Sequence, residues 1–406
     1  MEYTTLTKLY YKNPSSYSEE YGARFSAPFT QHIPVKIHQY NRSHAYPAFF
    51  YYTNDVLLLL EKIGKTYGSF QGLIHAIPQV VQHQFALMSI VDEVKSTNDI
   101  EGVHSTRKEI ADILDGHTAN AKRLESVVHK YAELLQDKEN DFATCQDIRR
   151  FYDEFTHEEI IKDNPAHKLD GKIFRRDAVS IESGTGKITH QGLYPEDKIL
   201  EAMEQALGVL HATDLPVLIR LAVFHYLFAY IHPFYDGNGR TDRFITSYYV
   251  KRCYHRLIAL RLSVYIKANR TQYYRLFEEA DSEINRGDLT PFIIGFLKII
   301  QGTIEDTIRI LSRKYEQMKK YEEKIVALSG KDALLKSIYF ILLQAALFYG
   351  RGISIAKLME LTKKNRATIK KRLDGIPQES LVIVKLGKTS YYKLNLLVFN
   401  KTGVFK

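Results

Sequence analysis

Leu218 to Ile231 is an apolar run broken only by Arg220 and His225, without glycine or proline, and Pro233 stops it one residue after His232. Such a run predicts a core helix of about four turns, too short and too polar to span a bilayer. The pyrrolidine ring disfavours helical geometry in the residue before it, so His232 falls where a buried helix opens into a loop. That position is rigid behind and open in front.

The loop that follows completes the string His232-Pro233-Phe234-Tyr235-Asp236-Gly237-Asn238-Gly239-Arg240-Thr241-Asp242-Arg243. Two glycines around Asn238 let successive N–H groups turn inward as a concave anion site. From Thr241 the sequence reads as helix again, so the nest is expected to open onto a helix N-terminus, which also favours phosphate. Arg240 and Arg243 are one turn apart, and each can fork onto phosphate oxygens. Asp236 is the expected Mg²⁺ ligand, since nucleotide-bound hard cations take one or two carboxylates plus phosphate oxygens. His232 has the side chain whose ordinary pKa suits a general base near neutral pH. His225, on an apolar helix, reads as a satisfied core residue.

The pattern HPF-x-D-GNGR-x-x-R resembles the signature of the Fic family, whose members transfer AMP from ATP onto protein hydroxyls. The resemblance implies that His232 takes the proton of a target hydroxyl and that Gly237, Asn238, Gly239, Arg240 and Arg243 hold the nucleotide phosphates, with Mg²⁺ on Asp236.

Upstream, Ser96-Thr97-Asn98-Asp99-Ile100-Glu101-Gly102 resembles the family's inhibitory motif. Thr97 and Glu101 are four apart and share a helix face, and Gly102 is placed to end the helix. In the family this glutamate pairs with the second arginine of the signature, here Arg243, and takes the space of the ATP γ-phosphate. In some relatives the same glutamate helps water remove AMP from a modified target, and the sequence does not separate the two directions.

Between the motifs, residues 171–181 and 187–190 are two β-prone runs around Ser183-Gly184-Thr185-Gly186, a hairpin signal. This resembles the family's flap and predicts that a target protein docks on the 179–190 hairpin by strand addition. Only Pro195 stands where relatives carry tandem prolines. Tyr265 to Leu276 resembles the segment near the nucleoside, so Asn269, Tyr273 and Tyr274 are expected adenine or ribose contacts.

The chain has 406 residues, 45% of them apolar, which suffices for more than one domain. Two cysteines, Cys145 and Cys253, without metal spacing argue for a reducing cytoplasm. No signal peptide, membrane helix or lipidation pattern is expected. The net charge of +9 is concentrated in residues 331–406, which hold 15 Lys and Arg against 4 Asp and Glu.

Residues 301–330 carry apolar positions at helical spacing. This stripe either packs on the core or pairs with a second copy in a homodimer. Beyond Ser329-Gly330, helices are predicted over 333–349, 354–361 and 366–373. Strands are predicted around 382–384 and 391–394, joined through Gly387-Lys388. This order resembles a winged helix, in which basic residues within 354–393 would meet DNA.

The expected fold is a mainly α Fic-type bundle with a small β-hairpin flap, plus a C-terminal winged-helix α+β domain. Four segments follow: 1–110 with the inhibitory helix, 111–300 as the catalytic core, 301–330 as a linking helix, and 331–406. The expected activity is autoinhibited AMP transfer from Mg-ATP to a protein hydroxyl. Its rivals are AMP removal and a nucleotide-sensing, DNA-binding regulator.

Overall fold

A computed structural model describes residues 3–116, 122–136, 138–140, 142–182, 186–349, 352–386 and 389–401. The chain is mainly α-helical with small antiparallel sheets. It divides into two compact units, residues 1–68 with 90–305 and residues 69–89 with 306–406. Among the described residues no helix is long and apolar enough to cross a membrane.

The first unit begins with helices α1 (Leu6–Lys12) and α2 (Pro14–Phe25) and a hairpin of β1 (Thr30–His38) and β2 (Ala45–Tyr51). Ile33, Val35 and Ile37 are buried at alternate positions of β1, the period expected of a strand with one face on a core. Helix α3 (Asn54–Ala76) begins in this unit and α4 (Gln79–Ile100) ends in it, followed by α5 (Arg107–Leu114), α6 (Glu125–Glu133), α7 (Cys145–Tyr152) and α8 (Glu158–Asp163). A π-helical turn, Asp153–His157, joins α7 to α8. Strands β3 (Ser180–Glu182) and β4 (Ile188–Gln191) precede α9 (Glu196–His211), α10 (Val217–Ile231), α11 (Asn238–Cys253), α12 (Arg256–Ala259), α13 (Leu262–Ala268) and α14 (Arg270–Asp281). The long helix α15 (Thr290–Ser329) begins in this unit.

Helix α10 is the axis of the first unit. Apart from Arg220 and His225 it is apolar, as a helix enclosed by protein must be, and nearly all its residues are buried. Helix α9 lays Ile199, Ala202, Met203, Ala206, Leu207 and Leu210 against its surroundings at helical spacing. Helices α9 and α11 both pack on α10, so the loop of residues 232–237, between α10 and α11, rests on a rigid support at both ends.

Residues 3–44 fold onto this unit with the help of a buried polar cluster. Phe49 bonds both Gly287 and Leu289 through its backbone. Tyr3 donates its hydroxyl to Asp288 Oδ2 at 2.5 Å, and the Arg24 guanidinium lies 3.7 Å from the same carboxylate. Tyr3→Phe is expected to lower unfolding free energy by about 1–3 kcal/mol, the usual effect of stripping a donor from a buried acceptor. Denaturant titration would measure it.

In the second unit, α16 (Ala333–Gln344) is capped by Asp332, whose other oxygen is 2.9 Å from Arg372 Nε. Then come β5 (Ile353–Ser354), α17 (Ile355–Thr362), α18 (Arg366–Asp374), β6 (Leu381–Leu386), β7 (Thr389–Leu394) and α19 (Leu396–Lys401). Ser354 and Asn365 cap α17 and α18 through their side chains. The three strands order β5-β7-β6, all antiparallel. Ile338, Leu342, Leu358, Ile369, Leu373 and Leu394 are buried among these elements. The Gly387-Lys388 turn lies outside the described residues.

Candidate active site

His232 is the C-cap of α10 and takes left-handed backbone angles, φ 53° and ψ 62°. Few side chains sit there without support. Its Nδ1 lies 3.3 Å from the Ala229 carbonyl. A ring nitrogen facing a carbonyl is the protonated one, which leaves Nε2 as the proton acceptor. Burial, with the added charges of His190 and Arg175, pushes the imidazole down to about 3. The ring is therefore neutral at physiological pH, the form a base requires.

The loop after it is stapled by one side chain. Asn238 accepts from Phe234 N–H at 2.9 Å and donates to Phe234 O at 2.7 Å. Gly237, at φ 78°, is the N-cap of α11. The helix thus starts at Asn238, earlier than the sequence suggested, so the anion nest is the open first turn of α11 itself. The free N–H groups of that turn carry the positive end of the helix dipole. Asp236 accepts from Gly237 N–H through one oxygen, and the other lies 3.7 Å from His167 Nδ1. Its side chain is about 40% exposed.

Both signature arginines are buried, and each is already held by a carboxylate. Arg243 is 2.8 Å from Glu101 and donates to the Thr97 hydroxyl at 3.0 Å and carbonyl at 3.1 Å. Burial alone would lower the Arg243 pKa, but the Glu101 carboxylate outweighs it and raises it. A Cβ on Gly239 would come within 2.9 Å of Arg243 Nη1 and collide with the Glu101 carboxylate, so only glycine admits this pair. Arg240 Nη1 is 2.8 Å from Glu159 on α8, a partner the sequence did not indicate.

Helix α4, which carries Thr97 and is followed directly by Glu101, is firmly seated. Glu93 accepts from Ser263 N–H at 2.8 and 2.9 Å, capping α13. Burial pushes that carboxyl up to about 7, against those hydrogen bonds. Asp99 bonds Lys267 at 2.5 Å. Gly102 adopts φ 73°, as expected of a residue ending the helix.

The two tyrosines of α14 part company. Tyr273 is buried, with its hydroxyl 2.8 Å from His225 Nε2, so it is a core residue whose polar atom is committed. Tyr274, its neighbour a hundred degrees round the helix, is 38% exposed and reaches Ile100 O at 3.4 Å. Of the two tyrosines, Tyr274 is the one at the surface, while Asn269 is partly exposed and donates to Tyr265 O at 2.9 Å. His225 bonds Thr246 at 2.9 Å and faces Asp242 at 3.0 Å, a satisfied interior histidine.

Strands β3 and β4 form the antiparallel hairpin, with Ser180 opposite Gln191 and Ile181 opposite His190. Residues 183–185 of its turn lie outside the described residues.

A mainly helical fold built on α10, with His232 at its end and Gly237-Asn238-Gly239 opening α11, resembles the Fic fold. Residues 144–250 match the sequence model of the Fic/DOC family. It is 29% identical over 129 residues to the protein adenylyltransferase Fic of Drosophila sechellia, covering 31% of this chain and 23% of that one. The counterpart in Drosophila virilis is 29% identical over 127 residues, with the same coverage. The matched stretch therefore spans about a quarter of those relatives. The crystal structure of a Fic family protein from Desulfovibrio desulfuricans G20 superposes with a TM-score of 0.51, over 84% of this chain and 96% of that one, at 20% identity. That likeness is one of fold.

Proposed function

We propose that this chain is an autoinhibited protein adenylyltransferase acting on a hydroxyl side chain of a target protein and of itself. The observation that carries the reading is the pairing of a neutral His232 beside an anion nest with an Arg243 already occupied by Glu101. In the active pose the nest and Arg240 hold the ATP phosphates, and Tyr274 faces the nucleoside. The target hydroxyl gives its proton to His232 Nε2 while its oxygen bonds the α-phosphorus. The bond from that phosphorus to the bridging oxygen breaks, and pyrophosphate leaves. In-line placement and fixed dipoles supply most of the rate.

Asp236 fits a Mg²⁺ ion, because one of its oxygens is turned away from the Gly237 N–H and the side chain is accessible. Bound there with phosphate oxygens, the ion would neutralise developing charge on the leaving pyrophosphate. The β3–β4 hairpin supplies an edge for the target's main chain.

Arg243 cannot serve both Glu101 and a γ-phosphate, so Glu101 and Thr97 keep the protein off until the pair opens. The test is transfer from ATP labelled at the α-phosphate in wild type, Glu101→Gly and Glu101→Gly/His232→Ala proteins. Absence of label from all three, with ATP still bound, would move the assignment to AMP removal or nucleotide sensing.

A second role rests on residues 331–406 as a winged helix. Lys363, Lys364, Arg366, Lys370 and Lys371 are all exposed around α18. Such a cluster suits the phosphates of double-stranded DNA. Lys370→Glu/Lys371→Glu is expected to weaken DNA binding and flatten its salt dependence by about two units of slope. Fluorescence anisotropy at several salt concentrations would measure this; an unchanged slope would remove DNA from the reading.

A further inference from the structure

The last turn of α10 exposes carbonyls that have no helical partner, and residues flanking the hairpin cover them in sequence. Tyr230 O faces His190 Nε2 at 2.7 Å. Ile231 O accepts from Leu193 N–H at 3.1 Å and from Arg175 Nη2 at 3.4 Å. His232 O accepts from Arg175 Nε at 2.9 Å, and Pro233 O from the Arg175 N–H at 3.3 Å. Arg175 also donates to Asp177 O.

Arg175 is fully buried, yet its bonds are to carbonyl oxygens rather than to a carboxylate. Desolvation lowers its pKa to about 10, which keeps it charged at neutral pH. A buried cation held only by carbonyls is costly unless something compensates it, and the negative end of a helix dipole is suited to do so. His190, from the other arm, is locked by Asp281 at 3.0 Å, which in turn accepts from the Tyr226 hydroxyl at 2.7 Å. Gly192 completes the fit: a Cβ there would collide with Arg175 Nη2 and stand 2.8 Å from His232 Cβ.

We propose that Arg175 and His190 are positioning residues that clamp the carbonyl end of α10, so that the segment leading into the hairpin and its second strand hold His232 in its left-handed backbone and the seating of a target on the hairpin is transmitted to the base. A change in the backbone angles of His232 would move its own carbonyl and that of Pro233, both of which Arg175 holds, while His190 and Leu193 hold the carbonyls of Tyr230 and Ile231 just before it. Conversely, a target strand that straightens the hairpin pulls on the same carbonyls. The inference rests on the transferase reading for its activity readout alone.

The experiment uses the full chain carrying Glu101→Gly, with Arg175→Lys, His190→Gln or Gly192→Ala added. Arg175→Lys keeps the charge and loses the planar fork. It is expected to lower kcat about 10- to 100-fold, the scale of a misplaced catalytic group, with the KM for ATP within about threefold. Amide exchange at His232 and Leu193 should quicken together, by roughly tenfold, while α11 keeps its protection. His190→Gln should give the same split more weakly and serves if Arg175→Lys does not fold. Unchanged exchange at His232, or a loss confined to KM, would overturn the clamp. Absence of transfer from the Glu101→Gly parent would remove the transferase reading, while the exchange rates still decide whether the hairpin holds the base.

Discussion

Glu101→Gly protein is expected to transfer label from ATP on the order of 10²-fold faster than wild type, equivalent to about 3 kcal/mol. The magnitude follows from where the pair sits. Arg243 is 1% exposed, and its partners are Glu101 and Thr97. Opening such a pair in the presence of nucleotide requires one anion to replace another on a single buried guanidinium. Deleting the carboxylate removes that competition. The same deletion leaves a buried cation without its ion-pair partner, its hydrogen bonds reduced to those with Thr97, so Glu101→Gly protein should also melt at a lower temperature than wild type. Faster transfer from a less stable protein is the signature of a brake. Equal rates in the two proteins would show that the Glu101–Arg243 pair is structural.

His232→Ala in the Glu101→Gly background is expected to lose at least 10²–10⁴ of the rate while binding nucleotide normally. The pH dependence is the sharper result. Burial, then His190 and Arg175, hold the imidazole near 3, far below its ordinary value. A base with a depressed pKa stays competent as pH falls, so its acid limb moves down. The profile of kcat/KM, which reports the free enzyme, should therefore show no limb centred near 6.5 between pH 5 and 8. A clear midpoint there would mean that the ring is solvated and that the clamp around it is looser than described.

Much of the site was legible because its residues are contiguous. His232 through Arg243 lie on one loop and one helix start, and both Thr97 and Glu101 lie at the end of α4. Spacing alone brings such groups together. Partners contributed from a distance left no trace. Arg175 bonds backbone carbonyls, which every residue has, so nothing marks it in a string of letters. Glu159 reaches Arg240 through a π-helical turn that helical periodicity does not register. Tyr273 and Tyr274 are adjacent and chemically alike, and only the rotation of α14 separates the buried one from the exposed one. The N-terminal segment was unreadable as a partner because its contacts, such as Tyr3 with Asp288 and Phe49 with Gly287, join opposite ends of the unit.

Tyr230 donates its hydroxyl to Lys36 O at 3.2 Å and accepts from His38 N–H at 2.9 Å, two residues before the base. The segment 144–250 is therefore not a cassette. Transplanted into a foreign scaffold, it would leave behind β1 under Tyr230, Glu101 and Thr97 on Arg243, and Asp281 on His190. A chimera built at those borders would keep every signature letter and lose the frame that aims them. Fusions and truncations of this chain should take their cut sites from these bonds rather than from the extent of the family match.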